Sequence, residues 1–178
     1  MRLRPRNGFS CVRSFFCLMS MFDVFNKKEV ILYSPVNGNI KKLEEVKDDA
    51  FASKLLGDGV AFEFDEDYIY SPCDGTIIMI FPTKHAIGIK AKNDAEVMLH
   101  IGLETVNLQG KYFEILVKEG QKVKRNMPIV KIDNKAIKSE GYDLSMPLLL
   151  TNCNEFNYRI LINNGAVKID SQIMVLKK

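Results

Sequence analysis

Short runs of strand-forming residues recur along almost the whole chain, separated by turn residues. Val, Ile, Tyr and Phe dominate these runs, and Gly, Pro, Asn and Asp interrupt them at short intervals. Many short strands with frequent turn signals are typical of an antiparallel β-sandwich or barrel. The runs predicted as strands are EVILYS, GNIKKL, AFEFD, YIYSP, GTIIMIF, AIGIKA, EVMLHIG, FEILV, PIVKI, LLLTN, RILIN and QIMVLK. The predicted fold is therefore all-β, an antiparallel β-sandwich or barrel.

Two segments compete with the strands, and both predict only short helical turns. In DDAFASKLLGDG, Asp48 or Asp49 is suited to cap the start of a helix and Gly57 to end it. In DNKAIKSEG, Asn134 and Gly141 are suited to the same two roles.

An internal echo predicts that the fold is duplicated. SPVNGNI, residues 34–40, returns as SPCDGTI, residues 71–77, at an offset of 37 (71 − 34). In each copy, Asn-Gly or Asp-Gly follows a proline that ends a strand, which predicts a tight hairpin turn with positive φ. A looser echo links EGQKVKRNMPIVKI to NGAVKIDSQIMVL.

The formal charge of +3 is concentrated at the start of the chain. Residues 1–20 contain four arginines and no acid, which leaves −1 (3 − 4) for residues 21–178. Nucleic-acid binding needs a clustered basic face, and residues 21–178 contain no basic run longer than KVKR. A membrane span needs about 18–20 apolar residues, and no run approaches that length. We therefore expect a cytoplasmic protein that neither binds nucleic acid nor spans a membrane.

Residues 1–20 combine a basic start with the short apolar patch FFCLM. This patch is shorter than the roughly 7–15 residues of a signal peptide, and no small-residue cleavage site follows it. Met21 then opens a segment that resembles a natural start. We predict that residues 1–20 are a disordered extension or an over-called start, with a leader or weak membrane-surface anchor as the alternative. Residues 21–178 are predicted to form one domain.

The four cysteines show no pattern of a metal or redox site. Cys11, Cys17, Cys73 and Cys153 form no CxxC pair, and the last two are eighty residues apart (153 − 73). We expect buried or unreactive thiols in a reducing cytoplasm.

The two histidines of the chain flank a predicted hairpin. His85 lies in FPTKHAIGI and His100 in MLHIGLETV, and the polar residues 92–94 between them are suited to a turn. Alternation in the second strand places His100 on the face opposite Leu99. An even-length turn would place both histidines on one face, whereas an odd-length turn without a bulge would place them on opposite faces.

Two imidazoles on one apolar face suit three kinds of chemistry. They could bind a metal ion, relay a proton, or hold a phosphoryl group with one ring as nucleophile and the other stabilising its charge. Catalytic zinc usually has three protein ligands, and the chain has no third histidine, but Asp94, Glu96 or Glu104 could complete a site. Two ordinary strand histidines are the fourth interpretation, and spacing alone leaves all four open.

Several motifs around the histidines resemble one known family. FPTKHAIGIK, VMLHIGLETVNLQGKYFE and EGQKVK, with LGDGVAFEF upstream, resemble the glucose-family IIA component of the bacterial sugar phosphotransferase system. The resemblance runs from about Val30 to Ile169 in the same order and includes both SPxxG turns. It implies an antiparallel β-sandwich that relays a phosphoryl group.

The resemblance also implies partners and roles for the site residues. His100 would accept the phosphoryl group from the phosphorylated histidine-containing phosphocarrier protein and pass it to a cysteine on the IIB domain of a glucose-type sugar permease. His85 would stabilise the phosphoryl group, and Thr83 would orient His85. Neither a cofactor nor a metal ion is implied.

A docking surface around His100 is implied as well. Asp58, in GDG, matches a family acid beside the site, and Glu104 stands where relatives often have aspartate. Both acids could pair with arginines on a partner. Apolar residues would exclude water from a phosphohistidine, and the motif positions indicate Val60, Phe81, Met98 and Val106.

Two other classes of protein share parts of this pattern. A zinc endopeptidase on a related duplicated β-fold would need an HxH element, but LHIGLE has Gly102 in place of the second histidine. A lipoyl- or biotinyl-type carrier, suggested by EGQKVKRNMPIVKI, would need its modified lysine at a tight hairpin, which the sequence does not predict. The motifs therefore favour phosphoryl relay.

Overall fold

The computed structural model describes residues 29–178, so Cys11, Cys17 and the predicted extension over residues 1–20 lie outside the described residues. Antiparallel strands dominate the described part. The strands are β1 (Val30–Tyr33), β2 (Gly38–Lys42), β3 (Asp58–Phe64), β4 (Tyr68–Tyr70), β5 (Gly75–Ile80), β6 (Ala86–Ala91), β7 (Glu96–His100), β8 (Phe113–Ile115), β9 (Lys122–Val123), β10 (Pro128–Ile132), β11 (Met146–Leu150), β12 (Asn157–Ile160), β13 (Gly165–Val167) and β14 (Gln172–Lys177). The α-helices are α1 (Asp49–Ala52) and α2 (Asn134–Ser139), and 3₁₀ turns cover Leu43–Glu45, Thr105–Leu108 and Cys153–Glu155.

The strands form one large sheet and two small ones. The large sheet has eight strands in the order β13-β2-β3-β11-β7-β6-β5-β9, and the small sheets have the orders β1-β14-β12 and β4-β10-β8. The strand pairs are antiparallel. The predicted all-β antiparallel fold is confirmed. Strands β9 and β13 were not predicted, because two or three residues are too few to show a period of two.

The main hydrophobic core lies between the large sheet and the two small sheets. The large sheet contributes Leu99 and Leu148, which face each other across β7 and β11. The small sheets contribute Met174 and Ile69, and all four side chains are fully buried. Removal of this apolar surface from water is the main stabilising term in such a fold.

A smaller apolar cluster covers part of the outer face of the large sheet. The turn Leu43–Glu45 and α1 fold over this face, and α1 starts at its cap Asp48, whose carboxylate accepts a hydrogen bond from the Ala50 N–H at 2.9 Å. The helix ends at Ala52, before the predicted stop at Gly57. The members of this cluster are Leu43, Val46, Phe51, Ala61, Leu103 and Leu149, with Met98 packed against them.

The internal duplication is visible in hydrogen bonds and in strand pairing. Ser34 Oγ donates to the Val36 carbonyl oxygen at 2.7 Å, and Ser71 Oγ donates to the Cys73 carbonyl oxygen at 2.8 Å. In the first copy, β1 pairs with β14 and β2 with β13; in the second, β4 pairs with β10 and β5 with β9. Both sequence echoes therefore correspond to one repeated pattern of strands.

The hairpin turns predicted at Asn-Gly and Asp-Gly are not formed. Gly38 and Gly75 begin β2 and β5 instead, and neither glycine is among the residues with positive φ. A Cβ atom on Gly38 would lie 2.1 Å from the Glu63 carbonyl oxygen, and one on Gly75 would lie 2.5 Å from that of Lys90. The glycines are required because the neighbouring backbone passes so close, where the chain moves from a small sheet to the large one.

Helix α2 begins one residue earlier than predicted. Asp133 is its cap and accepts a hydrogen bond from the Ala136 N–H at 3.0 Å, so Asn134 is the first helical residue. Asn134 is buried, and its Nδ2 donates to the Phe64 carbonyl oxygen at 3.3 Å. Gly141 has φ +89°, which suits the predicted end of the helix.

The two cysteines in the described part of the chain, Cys73 and Cys153, are free thiols. Burial raises the pKa of the Cys73 thiol to about 12, and the charge of Asp74 acts in the same direction. A buried thiol with a raised pKa is unreactive. Among residues 29–178, none of the helices combines the length and the apolar character that a membrane crossing requires.

Candidate active site

His100 is the last residue of β7 and lies on the outer face of the large sheet. The predicted alternation is confirmed, since Val97 and Leu99 are buried and Met98 and His100 are partly exposed. The residue opposite His100 in the ladder with β6 is Ala86. Its small side chain leaves space on this face for other groups to approach the imidazole.

The position of the His85 ring beside His100 does not follow from the strand-parity argument. Ala86 lies opposite His100 and Lys90 opposite Glu96, so the turn between β6 and β7 is odd-length. The Ile101 N–H donates to the His85 carbonyl oxygen at 2.7 Å, which places His85 opposite Ile101. Parity alone therefore puts the two histidines on opposite faces. That inference fails because β6 begins at Ala86 and His85 belongs to the preceding turn, where alternation no longer sets side-chain direction.

The turn before β6 directs the His85 ring toward the site. The Lys84 N–H donates to the Phe81 carbonyl oxygen at 2.7 Å, and Lys84 has φ +58° in the left-handed region. Thr83 Oγ1 lies 2.7 Å from His85 Nδ1, and either group can donate in this hydrogen bond. Thr83 and His85 are thus in contact, but through a turn rather than along a strand.

Four aromatic rings form a row across the site. The ring centroids of His85 and His100 are 4.8 Å apart. The Phe51 ring, from α1, lies 4.9 Å from His100, and the Phe81 ring lies 5.2 Å from His85. Each imidazole is therefore flanked by a phenyl ring that excludes water from one side.

Gly102 turns the chain back beneath His100. It has φ +77°, and a Cβ atom there would lie 2.6 Å from Thr105 Cγ2, so only glycine fits. The Gly102 carbonyl oxygen lies 2.9 Å from His100 Nδ1. Because a carbonyl oxygen only accepts, Nδ1 carries the proton of the neutral ring and Nε2 keeps a free lone pair.

Both imidazoles are held in the neutral form near pH 7. The pKa of His100 is lowered to about 4, first by burial and then by the charge of His85, while the Gly102 carbonyl and the Asp48 carboxylate act in the opposite direction. Burial also lowers the pKa of His85, which is only 5% exposed. Desolvation disfavours the charged form of each ring.

The apolar residues predicted around His100 lie in different environments. Phe81 is 36% and Val106 43% exposed, and Met98 packs against the outer cluster. Val60 is 1% exposed, because alternation in β3 places it on the core face opposite Leu148. Val60 therefore belongs to the core rather than to a docking surface.

The predicted acid Asp58 is not brought to the histidines. Its carboxylate accepts hydrogen bonds from Tyr158 Oη at 2.7 Å and from the Gly59 N–H at 2.8 Å, and it pairs with Lys54 at 3.0 Å. Across the large sheet, Asp58 of β3 is opposite Leu150 of β11, and Leu150 is opposite Val97 of β7. Along β7, Val97 precedes His100 by three residues, or about 10 Å.

Glu104 is exposed and lies at the start of the turn Thr105–Leu108, with φ +55°. Within residues 29–178, no three or more His, Cys, Asp and Glu side chains are grouped so that they could hold a metal ion.

Two further residues near the site were not predicted, and two exposed residues follow them along the chain. Asp48 and Phe51 act on His100 directly, through charge and ring contact. Leu55 and Leu56, just after α1, are 79% and 44% exposed. The sequence signal for Leu55 and Leu56 was only that two large apolar residues precede Gly57, because their exposure depends on the early end of α1 at Ala52.

The fold and the site together define a class of protein, namely an all-β sandwich that carries a pair of histidines shielded from water. Residues 30–156 match the family model described as phosphoenolpyruvate-dependent sugar phosphotransferase system, EIIA 1. The chain belongs to this family.

Individual relatives agree with the family match. The chain is 44% identical to the PTS system glucose-specific EIIA component of Bacillus anthracis over 147 residues, which cover 82% of this chain and 89% of that protein. It is 40% identical to the PTS system beta-glucoside-specific EIIBCA component of Bacillus subtilis over 146 residues, 82% of this chain and 24% of that protein. The chain thus spans about a quarter of such multi-component relatives.

A solved structure has the same fold. Glucose permease IIA from Mycoplasma capricolum matches with a TM-score of 0.79 and 35% sequence identity, over 84% of this chain and 97% of that one.

Proposed function

We propose that this protein relays a phosphoryl group within the sugar phosphotransferase system and that His100 carries it. The observation that supports this most strongly is the contact of two neutral imidazoles, with Nε2 of His100 left free by the hydrogen bond of Nδ1 to Gly102. Phosphoryl transfer depends mainly on positioning and on stabilisation of charge. The histidine pair supplies both.

The loading step starts from the lone pair on His100 Nε2. It attacks the phosphorus atom of the donor's phosphohistidine, and a new N–P bond forms as the donor's N–P bond breaks. The electron pair of the broken bond returns to the donor's ring. In the onward step a cysteine thiolate attacks the same phosphorus atom, an S–P bond forms, and the electron pair of the N–P bond returns to Nε2, which regenerates neutral His100.

His85 stabilises the charge of the phosphoryl group in this proposal. In the arrangement that we propose, Thr83 Oγ1, 2.7 Å away, is the donor and His85 Nδ1 the acceptor. The proton of neutral His85 then lies on Nε2, where it can donate to a phosphoryl oxygen. Thr83 orients His85 by holding this tautomer.

The docking surface consists of the exposed groups around the imidazole pair. Phe81, Val106 and the partly buried Met98 provide apolar contact area beside the rings. We also assign to this surface Leu55 and Leu56, which follow α1 and are exposed. Glu104 offers a carboxylate to an arginine of the partner, which would favour the correct orientation of the complex.

Membership of the family supports our proposal for the two partners. The donor is the phosphorylated histidine-containing phosphocarrier protein, and the acceptor is the IIB domain of a sugar permease. Relatives named for glucose and for beta-glucosides support a glucose-type sugar as the final acceptor. We place the reaction in the cytoplasm, where phosphoenolpyruvate is the source of the phosphoryl group.

Reconstitution of the phosphoryl chain tests this function. The protein is incubated with phosphoenolpyruvate, the first enzyme of the system and the phosphocarrier protein, beside His100→Gln and His85→Gln as a matched pair. The wild-type protein and His85→Gln should become phosphorylated and His100→Gln should not. Phosphorylation of His100→Gln would refute the assignment.

A further inference from the structure

A chain of four polar side chains, which we call the Asp58 network, runs from the turn Leu43–Glu45 to strand β12 of a small sheet. Lys54 Nζ lies 2.9 Å from Glu44 Oε1 and 3.0 Å from Asp58 Oδ1. Tyr158 Oη donates to Asp58 Oδ2 at 2.7 Å, and the Gly59 N–H donates to Asp58 Oδ1 at 2.8 Å. The Asp58 carboxylate thus binds three donors at once, of which Tyr158 comes from a distant part of the chain.

Asp58 is the best protected carboxylate of this network. Its side chain is 14% exposed, whereas that of Glu44, the other carboxylate, is 52% exposed. Burial alone would raise the pKa of Asp58, but the hydrogen bonds from Tyr158, Lys54 and the Gly59 N–H lower it below its ordinary value. The same hydrogen bond raises the pKa of Tyr158 to about 12. Asp58 therefore stays charged and bound, whereas an exposed pair of Lys54 with Glu44 alone would contribute little.

Lys54 connects the network to the ring that covers His100. It follows α1 with φ +59°, in the left-handed region that favours glycine. Its side chain is held there by one carboxylate oxygen each of Glu44 and Asp58. The Lys54 N–H donates to the Phe51 carbonyl oxygen at 2.9 Å, so the two residues belong to one turn. The Phe51 ring lies 4.9 Å from the His100 ring. A shift of Lys54 would therefore move Phe51.

We infer that Asp58 is a positioning residue that, through Lys54, holds α1 and the Phe51 ring against His100. Its carboxylate is bonded to Lys54 and Tyr158 rather than to either imidazole, so it acts by keeping His100 buried. The inference deepens the proposed function, because Phe51 covers the ring that would carry the phosphoryl group. It assigns Asp58 a role other than the partner contact that the sequence resemblance implies.

The pKa of His100, measured by NMR titration of the full chain, tests this inference. Asp58→Asn removes a negative charge, which by electrostatics alone would lower the pKa of a nearby histidine. Loss of the Phe51 cover would instead raise the pKa, since desolvation is its main cause. We expect a rise of about one unit or more toward the ordinary value. The other charged groups that act on His100, His85 and Asp48, are unchanged in this variant.

An unchanged or lowered pKa of His100 in Asp58→Asn overturns the inference. Tyr158→Phe removes only the hydroxyl group and keeps every charge, and a smaller rise is expected. If Asp58→Asn fails to fold, the Tyr158→Phe variant replaces it in the test, and an unchanged or lowered pKa of His100 in that variant overturns the inference.

Asp74→Asn is the matched control. Asp74 also binds a lysine, Lys92 at 2.7 Å, and a backbone N–H, that of Arg125 at 3.0 Å. Asp74 immediately precedes β5, whose first residue, Gly75, pairs with Ala91 at the end of β6. His100 pairs with Ala86, at the other end of β6. The pKa of His100 should not change in this variant. An equal rise in both aspartate variants would indicate general loosening and overturn the inference.

Kinetics distinguish a positioning role from a partner contact. If Asp58 positions Phe51, kcat for loading from the phosphocarrier falls several-fold in Asp58→Asn while KM is unchanged. A raised KM with an unchanged pKa of His100 would identify Asp58 as a partner contact and overturn the inference. The NMR titration needs no phosphorylation. A wild-type protein that accepts no phosphate would therefore refute the proposed function and leave this test intact.

Discussion

The rings of His85 and His100 lie with centroids 4.8 Å apart and planes inclined at 73°. One ring therefore meets the other edge to face, and both are neutral because burial lowers the pKa of each. Such a pair can offer one lone pair and one N–H donor to the same phosphoryl group. Changing each ring separately tests this division of roles.

Replacement of His85 by glutamine should permit loading and block onward transfer. The glutamine amide cannot take the position of the ring that contacts both Thr83 and His100. Removal of one well-placed donor typically slows transfer by about 10²–10³-fold, and we expect this loss in the step to the IIB domain. Rapid-quench measurement of labelled phosphate in each step checks it, and equal losses in both steps would contradict it.

Thr83→Val should slow onward transfer without preventing it. Valine has a similar shape but cannot bond to His85 Nδ1, so the tautomer is no longer held. Loss of one hydrogen bond of about 1–1.5 kcal/mol corresponds to roughly tenfold in rate. Thr83→Ser keeps the hydroxyl group and should restore most of the rate. Onward transfer by Thr83→Val at the wild-type rate would rule out an orienting role.

His100 should remain an acceptor well below pH 6.5. Its pKa is lowered to about 4 by burial and by the charge of His85, so the neutral nucleophile persists until the pH approaches that value. NMR titration of the free protein measures this pKa directly, with the His85→Gln variant to assign the two rings. A midpoint at the ordinary value of 6.5 would show that the ring is not shielded from water.

The same pKa predicts how stability depends on pH. The folded pKa of His100 lies below the unfolded value, so the unfolded state binds more protons between about pH 4 and 6.5. The contribution of neutral His100 is complete above pH 6.5 and is lost as the pH falls toward 4, by on the order of 3 kcal/mol. Urea unfolding of wild type and His100→Gln at both ends of this window measures it. Identical pH dependence in the two proteins would contradict the prediction.

Val60 and Val106 should respond differently to the same substitution. Val60→Ala leaves a cavity in the main core and should lower the free energy of unfolding by about 1–3 kcal/mol, with an unchanged KM for the phosphocarrier protein. Val106 is 43% exposed, so Val106→Ala should raise KM several-fold and change stability by less than about 0.5 kcal/mol. The reverse pattern would place the docking surface elsewhere.

The sequence predicted the face of His100 correctly because β7 alternates regularly between buried and partly exposed residues. It could not predict how His85 reaches the same place. That depends on a turn in which Lys84 has φ +58°, and lysine gives no signal of a left-handed conformation. The odd-length turn after β6 would even have argued against the pair.

The contact of the Phe51 ring with His100 could not be predicted from local sequence patterns either. DDAFASK predicted a capped helical turn, and Asp48 does cap α1. The contact of Phe51 with His100 arises from packing of that helix on the outer face of the large sheet, which is a tertiary effect. The resemblance to a family carried residue identities but not their faces, so Val60 and Asp58 were assigned to a partner although one lies in the core and the other binds Lys54 and Tyr158.

The central claim is that His100 carries the phosphoryl group, and the most direct measurement is the site of phosphate after incubation with phosphoenolpyruvate, the first enzyme and the phosphocarrier protein. We expect one acid-labile, base-stable phosphate per chain, located on Nε2 of His100 by NMR and absent from His100→Gln. A wild-type protein without phosphate, or a His100→Gln protein that retains it, would contradict the account.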